Sequence, residues 1–341
     1  MKKGFTLIEL LMVVALIAIV STLAVTKVGG IREAAARKVS LANQKAVQRA
    51  VDAYLANGGR LNRLDSLIYA GNDGAPIFSS KEGDFDFSSG GTFTDASGSS
   101  VDEQYWLDLG PYEDDEDGKY REEYNAGITP GLQKILCPYG LSAAQAAALD
   151  TRIGLKYVMA ATAYADAADN VYPQVHYSRT RAYGDGTYPN ASNGLDPNDA
   201  FCVTTLITNR MTVAAINPMT DLGRTIYQSM GQELLNNDIY FGQSGGYSED
   251  TVRAEVAATG GPLIAFGLGE AASIIGKTDG GLDSAPYATF AQKKYYSRYI
   301  LLFRLKKAGA GSVSQILPEF AGVIDCCGNA VRGAQTIVKT L

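Results

Sequence analysis

The feature that most constrains this chain is its start. Residues 5–28 read FTLIELLMVVALIAIVSTLAVTKV, and only Thr6, Glu9, Ser21, Thr22, Thr26 and Lys27 are not apolar. A helix needs about 20 apolar residues to cross a bilayer, so this run is long enough. Lys2 and Lys3 precede it, which holds the N-terminus on the cytoplasmic side and sends the remainder across. A cleaved secretory signal would end in a small-residue site after a shorter apolar core. A plain anchor would not carry Glu9, because a carboxylate in hydrocarbon costs about 2.5–3.5 kcal/mol even on lenient insertion scales. Glu9 therefore calls for a cationic partner. No nearby residue of this chain supplies one, so the partner belongs to another molecule.

These residues resemble the N-terminus of type IV pilins and type II secretion pseudopilins. MKKG followed by FTLIELLMVVALIAIV places Gly, Phe, Thr, Leu, Ile and Glu in that family's order. The resemblance implies a leader of residues 1–4 that a membrane prepilin peptidase cuts after Gly4. It implies methylation of the new N-terminal residue, Phe5. It also implies that Glu9 pairs with the N-terminal amine of a neighbouring subunit during assembly. An ammonium and a carboxylate buried together need each other. Many family members carry a proline in mid-helix. Here Thr26 stands in that neighbourhood, and Gly29-Gly30 follow. Two readings stay open there: a soft point for local unwinding, or a junction between membrane helix and soluble helix.

Beyond Gly30 the pattern becomes amphipathic. Ile31, Ala35, Val39, Ala42, Ala46, Ala50, Val51 and Tyr54 recur at helical spacing, and Asn57-Gly58-Gly59 is a helix stop. One helix is expected over 5–57, with 5–28 as its transmembrane and filament-core half. Its second half should pack on a sheet in the head. The expected fold class is α+β and pilin-like. The long N-terminal helix lies against an antiparallel sheet within an enlarged, loop-rich head, residues 58–341.

Within the head, Ser142–Leu149 reads as a short helix capped by Ser142. The alanine-rich 155–168 reads as helical. Phe201–Thr208, Pro262–Leu268 and Tyr295–Lys306 read as strands by β-branched and aromatic content. Leu222–Leu235 reads as a helix. Ser248–Ala258 reads as another, with Ser248 as cap and acids in the first turn. Near the end, Asp325-Cys326-Cys327-Gly328-Asn329 looks like the Asp-x-Trp-Gly-Asn segment of many major pseudopilins. Cys327 stands in the aromatic position, and Gly-Asn is expected to form a turn.

The four cysteines are Cys137, Cys202, Cys326 and Cys327. An exported head permits disulfides. Neighbouring cysteines seldom join each other, so the expected bridges run from Cys326 and Cys327 separately to Cys137 and Cys202. Free buried thiols are the alternative. Acids crowd at 113–117, with Glu113, Asp115 and Asp117 at alternate positions and Gly118 next. That is the opening of an EF-hand-like loop, but Tyr124 stands where the closing bidentate acid belongs. The segment is either a weak calcium loop or a solvated acidic one. No motif requires a cofactor; calcium is the one ligand the acidic loop could take.

Catalytic signals are weak. Gly242–Gly246 fits G-x-S-x-G around Ser244, with His176 the sole histidine available as a base. A nucleophile elbow needs a strand before it and a helix after it, and Gly245-Gly246 favours a loop. Residues 269–278 end in Gly-Lys-Thr, but Ala271 occupies the position of the first glycine of a phosphate loop. One histidine excludes H-E-x-x-H zinc chemistry. The chain is expected not to be an enzyme; a hydrolase displayed on a pilin stem is a remote alternative.

Charge divides along the chain. The net charge is −6 with a pI near 5.0, yet residues 1–38 hold six basic side chains against two acidic ones. A basic, membrane-seated stem thus stands under an acidic head, and direct nucleic-acid binding is not expected. The resemblance implies a structural subunit of a type IV pilus or type II secretion pseudopilus. Its partners would be copies of itself or other pilins, the prepilin peptidase, the inner-membrane assembly platform and the membrane. It would begin as a single-pass inner-membrane precursor and end in a periplasmic or cell-surface filament. The size of the head also admits a minor subunit that binds a surface, a glycan or a secreted substrate.

Overall fold

The structure is a computed structural model that describes residues 35–68, 77–87, 128–161, 201–234, 248–269, 298–308 and 315–332, with short pieces between and after them. It is a mixed α+β fold built on a curled, mostly antiparallel sheet.

Helix α1 runs through residues 35–56. It ends at the expected stop: Gly58 has φ +78°, its N–H reaches the Leu55 carbonyl at 3.0 Å, and the Gly59 N–H reaches the Tyr54 carbonyl at 2.8 Å. This is a Schellman closure, which a left-handed glycine makes cheaply. The sheet's ten strands are β1 (Asn62–Asp65), β2 (Asp84–Phe85), β3 (Leu136–Gly140), β4 (Leu155–Ala161) and β5 (Arg181–Tyr183), then β6 (Phe201–Leu206), β7 (Thr212–Ile216), β8 (Leu263–Gly267), β9 (Ile300–Ala308) and β10 (Gln315–Ile324). The order is β5-β6-β4-β1-β8-β7-β3-β2, with β9 on β8 and β10 on β9. Only β1–β4 and β5–β6 are parallel.

Strand β8 is the hub. Its whole length pairs with β9. Its other edge is shared, by β7 at Ile264 and Ala265 and by β1 at Gly267. One edge serving two strands forces them to diverge, which accounts for the curl. All five residues of β3, β7 and β8 are buried. They read as continuous apolar runs because both faces of the sheet centre are covered.

Among the described residues, four further α-helices follow α1. Two are short, α2 (Pro130–Gln133) and α3 (Ala143–Ala148). The other two are α4 (Asp221–Ser229) and α5 (Glu249–Thr259). Ser142 caps α3 through a reciprocal capping box with Gln145. Ser248 caps α5 by accepting the Thr251 N–H, with Glu249 and Asp250 in the first turn. Both caps match the sequence reading. Tyr227 of α4 lies against the sheet: its hydroxyl donates to the Ile216 carbonyl at 3.3 Å and accepts from the Leu263 N–H at 3.1 Å. Arg224 of α4 and Glu255 of α5 form an ion pair at 3.2 Å, with side chains only 5% and 6% exposed. Arg253 of α5 pairs with Asp84 of β2 at 2.8 Å.

The sequence expectation of a helix over 155–168 is overturned. Residues Leu155–Ala161 are strand β4, and Ala163–Ala165 are a further short strand. Gly154, at φ +72°, closes the preceding π-helical turn. The chain then enters the gap between β1 and β6, pairing with both. The helix preference of alanine amounts to a fraction of a kcal/mol per residue. Ladder pairing on both edges outweighs it.

Candidate functional site

The junction between α1 and the sheet is the part of the proposed stem that the structure describes. It sits on β9, on β10 and on the turn that follows β10. Its chemistry is unlike the sequence expectation. The residues of α1 that face the head are Ser40, Gln44, Val47 and Val51, each 2% exposed or less. They recur at i, i+4, i+7 and i+11, so the helical period was read correctly. The face was not. Ala35, Val39, Ala42 and Ala46 point away from the head, with Val39 48% exposed. A hydropathy stripe places the helix by its alanines, whereas docking here depends on two polar side chains that find buried partners.

Those partners are specific. The Tyr299 hydroxyl donates to the Ser40 carbonyl at 2.9 Å. Having spent its proton, it accepts from Ser40 Oγ at 3.0 Å. Burial pushes the Tyr299 phenol up to about 12, against the easing effect of the Ser40 hydrogen bond, so it stays a neutral donor near neutral pH. Gln44 Nε2 donates to the carbonyls of Val323 at 2.6 Å and Asn329 at 3.0 Å. A buried polar group without a partner costs about 1–3 kcal/mol. Here Ser40 Oγ and Gln44 Nε2 each have one.

The turn after β10 is built around Asp325, 3% exposed. Its Oδ1 accepts the N–H groups of Cys327 at 2.9 Å and Asn329 at 3.0 Å, and its Oδ2 accepts Asn329 Nδ2 at 2.8 Å. The Gly328 N–H closes on the Asp325 carbonyl at 3.0 Å, with Gly328 at φ +85°. Burial raises the Asp325 carboxyl above its ordinary value, opposed by these N–H donors and by Arg37. The Gly-Asn turn read from the sequence is therefore present, and its aspartate is the centre of it. The Thr129 hydroxyl donates to the Cys326 carbonyl, tying the turn to the start of α2.

The cysteine expectation needs correction. Cys137, Cys326 and Cys327 are free thiols. Cys137 lies buried in β3 with its sulfur 3.8 Å from the Ala215 carbonyl of β7, so a sheet neighbour takes the place of a bridge. Cys326 is fully buried and Cys327 is partly exposed. The backbone of Cys202 lies in β6 opposite Ala161; its side chain lies outside the described residues.

The remaining sequence candidates lie outside the described residues as well: Gly4, Phe5 and Glu9, the acidic Glu113, Asp115 and Asp117, and His176 and Ser244. Among the described residues, no cluster of three or more His, Cys, Asp or Glu could hold a metal ion. No helix among them is long and apolar enough to cross a membrane; the 5–28 run is not among them.

Comparison with known proteins bears on the start of the chain. The family model described as the prokaryotic N-terminal methylation motif matches residues 1–25. Neither a curated protein nor a solved structure matches the chain. The motif in general goes with processing by a prepilin peptidase and with assembly alongside other pilins. It implies a membrane-anchored precursor that later enters a periplasmic or extracellular filament. Residues 1–25 thus carry the prepilin-type leader of the type IV pilins and pseudopilins, and the chain is pilin-like in that segment.

Proposed function

We propose that this chain is a structural subunit of a type IV pilus or type II secretion pseudopilus. The observation that carries the reading is the leader match at residues 1–25, with Gly4, Phe5 and Glu9 in the family's order. The precursor is cut after Gly4 and methylated on Phe5. Its 5–28 helix leaves the bilayer for the core of a helical filament. Glu9 sets the register of each incoming subunit by pairing with the amine on Phe5 of a neighbour. The energetic reason is that each buried charge would otherwise stand alone. Filament assembly itself asks no catalysis of the subunit.

The outward face of α1 supports this reading. Ala35, Val39, Ala42 and Ala46 are exposed on it. Small side chains let helices approach closely, as a bundle of neighbouring stems requires. Replacing Glu9 by Ala should leave a stable, cleaved membrane subunit that enters no filaments, as read by immunoblots of sheared surface fractions against membranes. Filaments at wild-type yield from that variant would defeat the proposal.

A second reading is favoured by the size of the head, residues 58–341. A minor subunit could use it to meet a surface, a glycan or a secreted substrate. Counting this chain against the other subunits of purified filaments, by quantitative mass spectrometry, separates the two.

A further inference from the structure

We infer that Ser40 and Gln44 select which face of α1 docks on the head, and so which face is left outward. The helix carries two candidate faces, both at helical spacing. The docked one holds Ser40, Gln44, Val47 and Val51, all buried. The other holds Ala35, Val39, Ala42, Ala46 and Ala53, all exposed. Their apolar content is close: two valines against one valine and four alanines. The hydrophobic effect is non-directional and follows apolar area, so it gives no reason for the first face to dock. Hydropathy periodicity in fact favours the second. The difference between the faces is the polar pair.

The head holds fixed polar atoms where that pair lands. The Tyr299 hydroxyl meets Ser40 twice, at its carbonyl (2.9 Å) and at Oγ (3.0 Å). The Gln44 amide nitrogen has two hydrogens to donate and two acceptors, the carbonyls of Val323 at 2.6 Å and Asn329 at 3.0 Å. Each partner is also held by contacts outside α1. The Tyr299 carbonyl accepts the Leu268 N–H at 2.8 Å. Val323 is paired with Leu301 of β9. Asn329 is gripped by the Asp325 carboxylate through both its backbone N–H and its side-chain amide. Partners fixed in this way impose a position on the helix rather than follow it.

Turned to present its alanines, α1 would set methyl groups against the Tyr299 hydroxyl and the Val323 carbonyl. Both would stay covered but lose the partners that Ser40 and Gln44 give them. Covering a polar group without a hydrogen bond is costly, and that cost falls on the alanine face alone. Single buried polar residues fix register between helices on the same ground. The pair thus acts less by adding attraction than by penalising the competing face. Its two members stand one helical turn apart, so together they set the rotation of the helix about its axis.

This selection operates within one subunit and stands whether or not the chain enters a filament. The test footprints the full chain in detergent micelles with hydroxyl radicals and reads oxidation residue by residue by mass spectrometry. Three valines report, so intrinsic reactivity cancels. In wild type, Val39 should be oxidised about tenfold faster than Val47 or Val51. Gln44→Ala combined with Tyr299→Phe removes what distinguishes the faces. Oxidation of Val39 should then fall severalfold while that of Val47 and Val51 rises. Ser40→Thr keeps the hydroxyl and should keep the wild-type pattern. Should the double variant fail to fold, Gln44→Ala alone must move the valines in the same directions. An unchanged pattern without Gln44, or loss of the pattern in Ser40→Thr, would overturn the assignment. So would a joint rise at all three valines, because the pair would then hold the helix rather than choose its face.

Discussion

Two helix docks on one sheet follow different rules. Helix α1 meets β9 and β10 through Ser40 and Gln44, whose partners are backbone carbonyls and one phenol, with Val47 and Val51 completing the face. Helices α4 and α5 are joined by the buried Arg224–Glu255 pair, and α4 meets the sheet through the doubly bonded Tyr227. The first dock consists of neutral hydrogen bonds, each contributing about 1 kcal/mol net. The second commits two charges to a dry site, where loss of either partner is costly. Single substitutions at the α1 dock are accordingly the less costly ones. That suits a stem whose opposite face is turned away from its own head.

The contrast can be broken at its strong end first. Glu255→Leu strands the Arg224 guanidinium and should destabilise the head by about 3–5 kcal/mol. Guanidinium unfolding of the full chain in micelles measures this, and the double replacement with Arg224→Leu should recover most of the loss. A loss no larger than that at the α1 dock would erase the distinction. Gln44→Leu should cost only about 1 kcal/mol in the same assay, because Asn329's carbonyl keeps the Asp325 N–H as a partner. Val39→Ser, on the exposed face, should fall within about 0.5 kcal/mol of wild type. An equal cost at Val39 and Gln44 would mean that the docked face is misassigned.

The smallest effect concerns pH. Burial raises the Asp325 carboxyl above 3.8, so the folded state binds its proton more tightly than the unfolded chain. The associated stability is full below the unfolded value and is lost as pH rises through the folded one. Wild type should therefore gain on Asp325→Asn as pH falls toward 4, in melts compared across that range. A gain in the opposite direction would show that the three N–H donors outweigh burial.

Much of the local structure was legible in the sequence. The caps at Ser142 and Ser248, the stop at Gly58, the strand over 300–306 and the Gly328-Asn329 turn all appear where the sequence places them. Each rests on chemistry contained within a few residues: a side-chain oxygen near a free N–H, a glycine at positive φ, a run of β-branched and aromatic residues. Two readings failed for a shared reason. The alanines of β4 prefer a helix in isolation, and the docked face of α1 looks polar in isolation. Their fates depend on partners far along the chain, such as Phe201–Leu206 for β4 and Tyr299 and Val323 for α1.

The sequence alone determined the first 25 residues. The order of Gly4, Phe5 and Glu9 before an apolar run is recognisable without coordinates, because bilayer thickness and peptidase cleavage act on a linear segment. Only the tertiary structure decided which face of α1 meets the head, that the alanine-rich stretch is a strand, and that Cys137, Cys326 and Cys327 stay free thiols. Burial and hydrogen-bond satisfaction are properties of neighbours in space, and a single segment carries no record of which neighbours it will have.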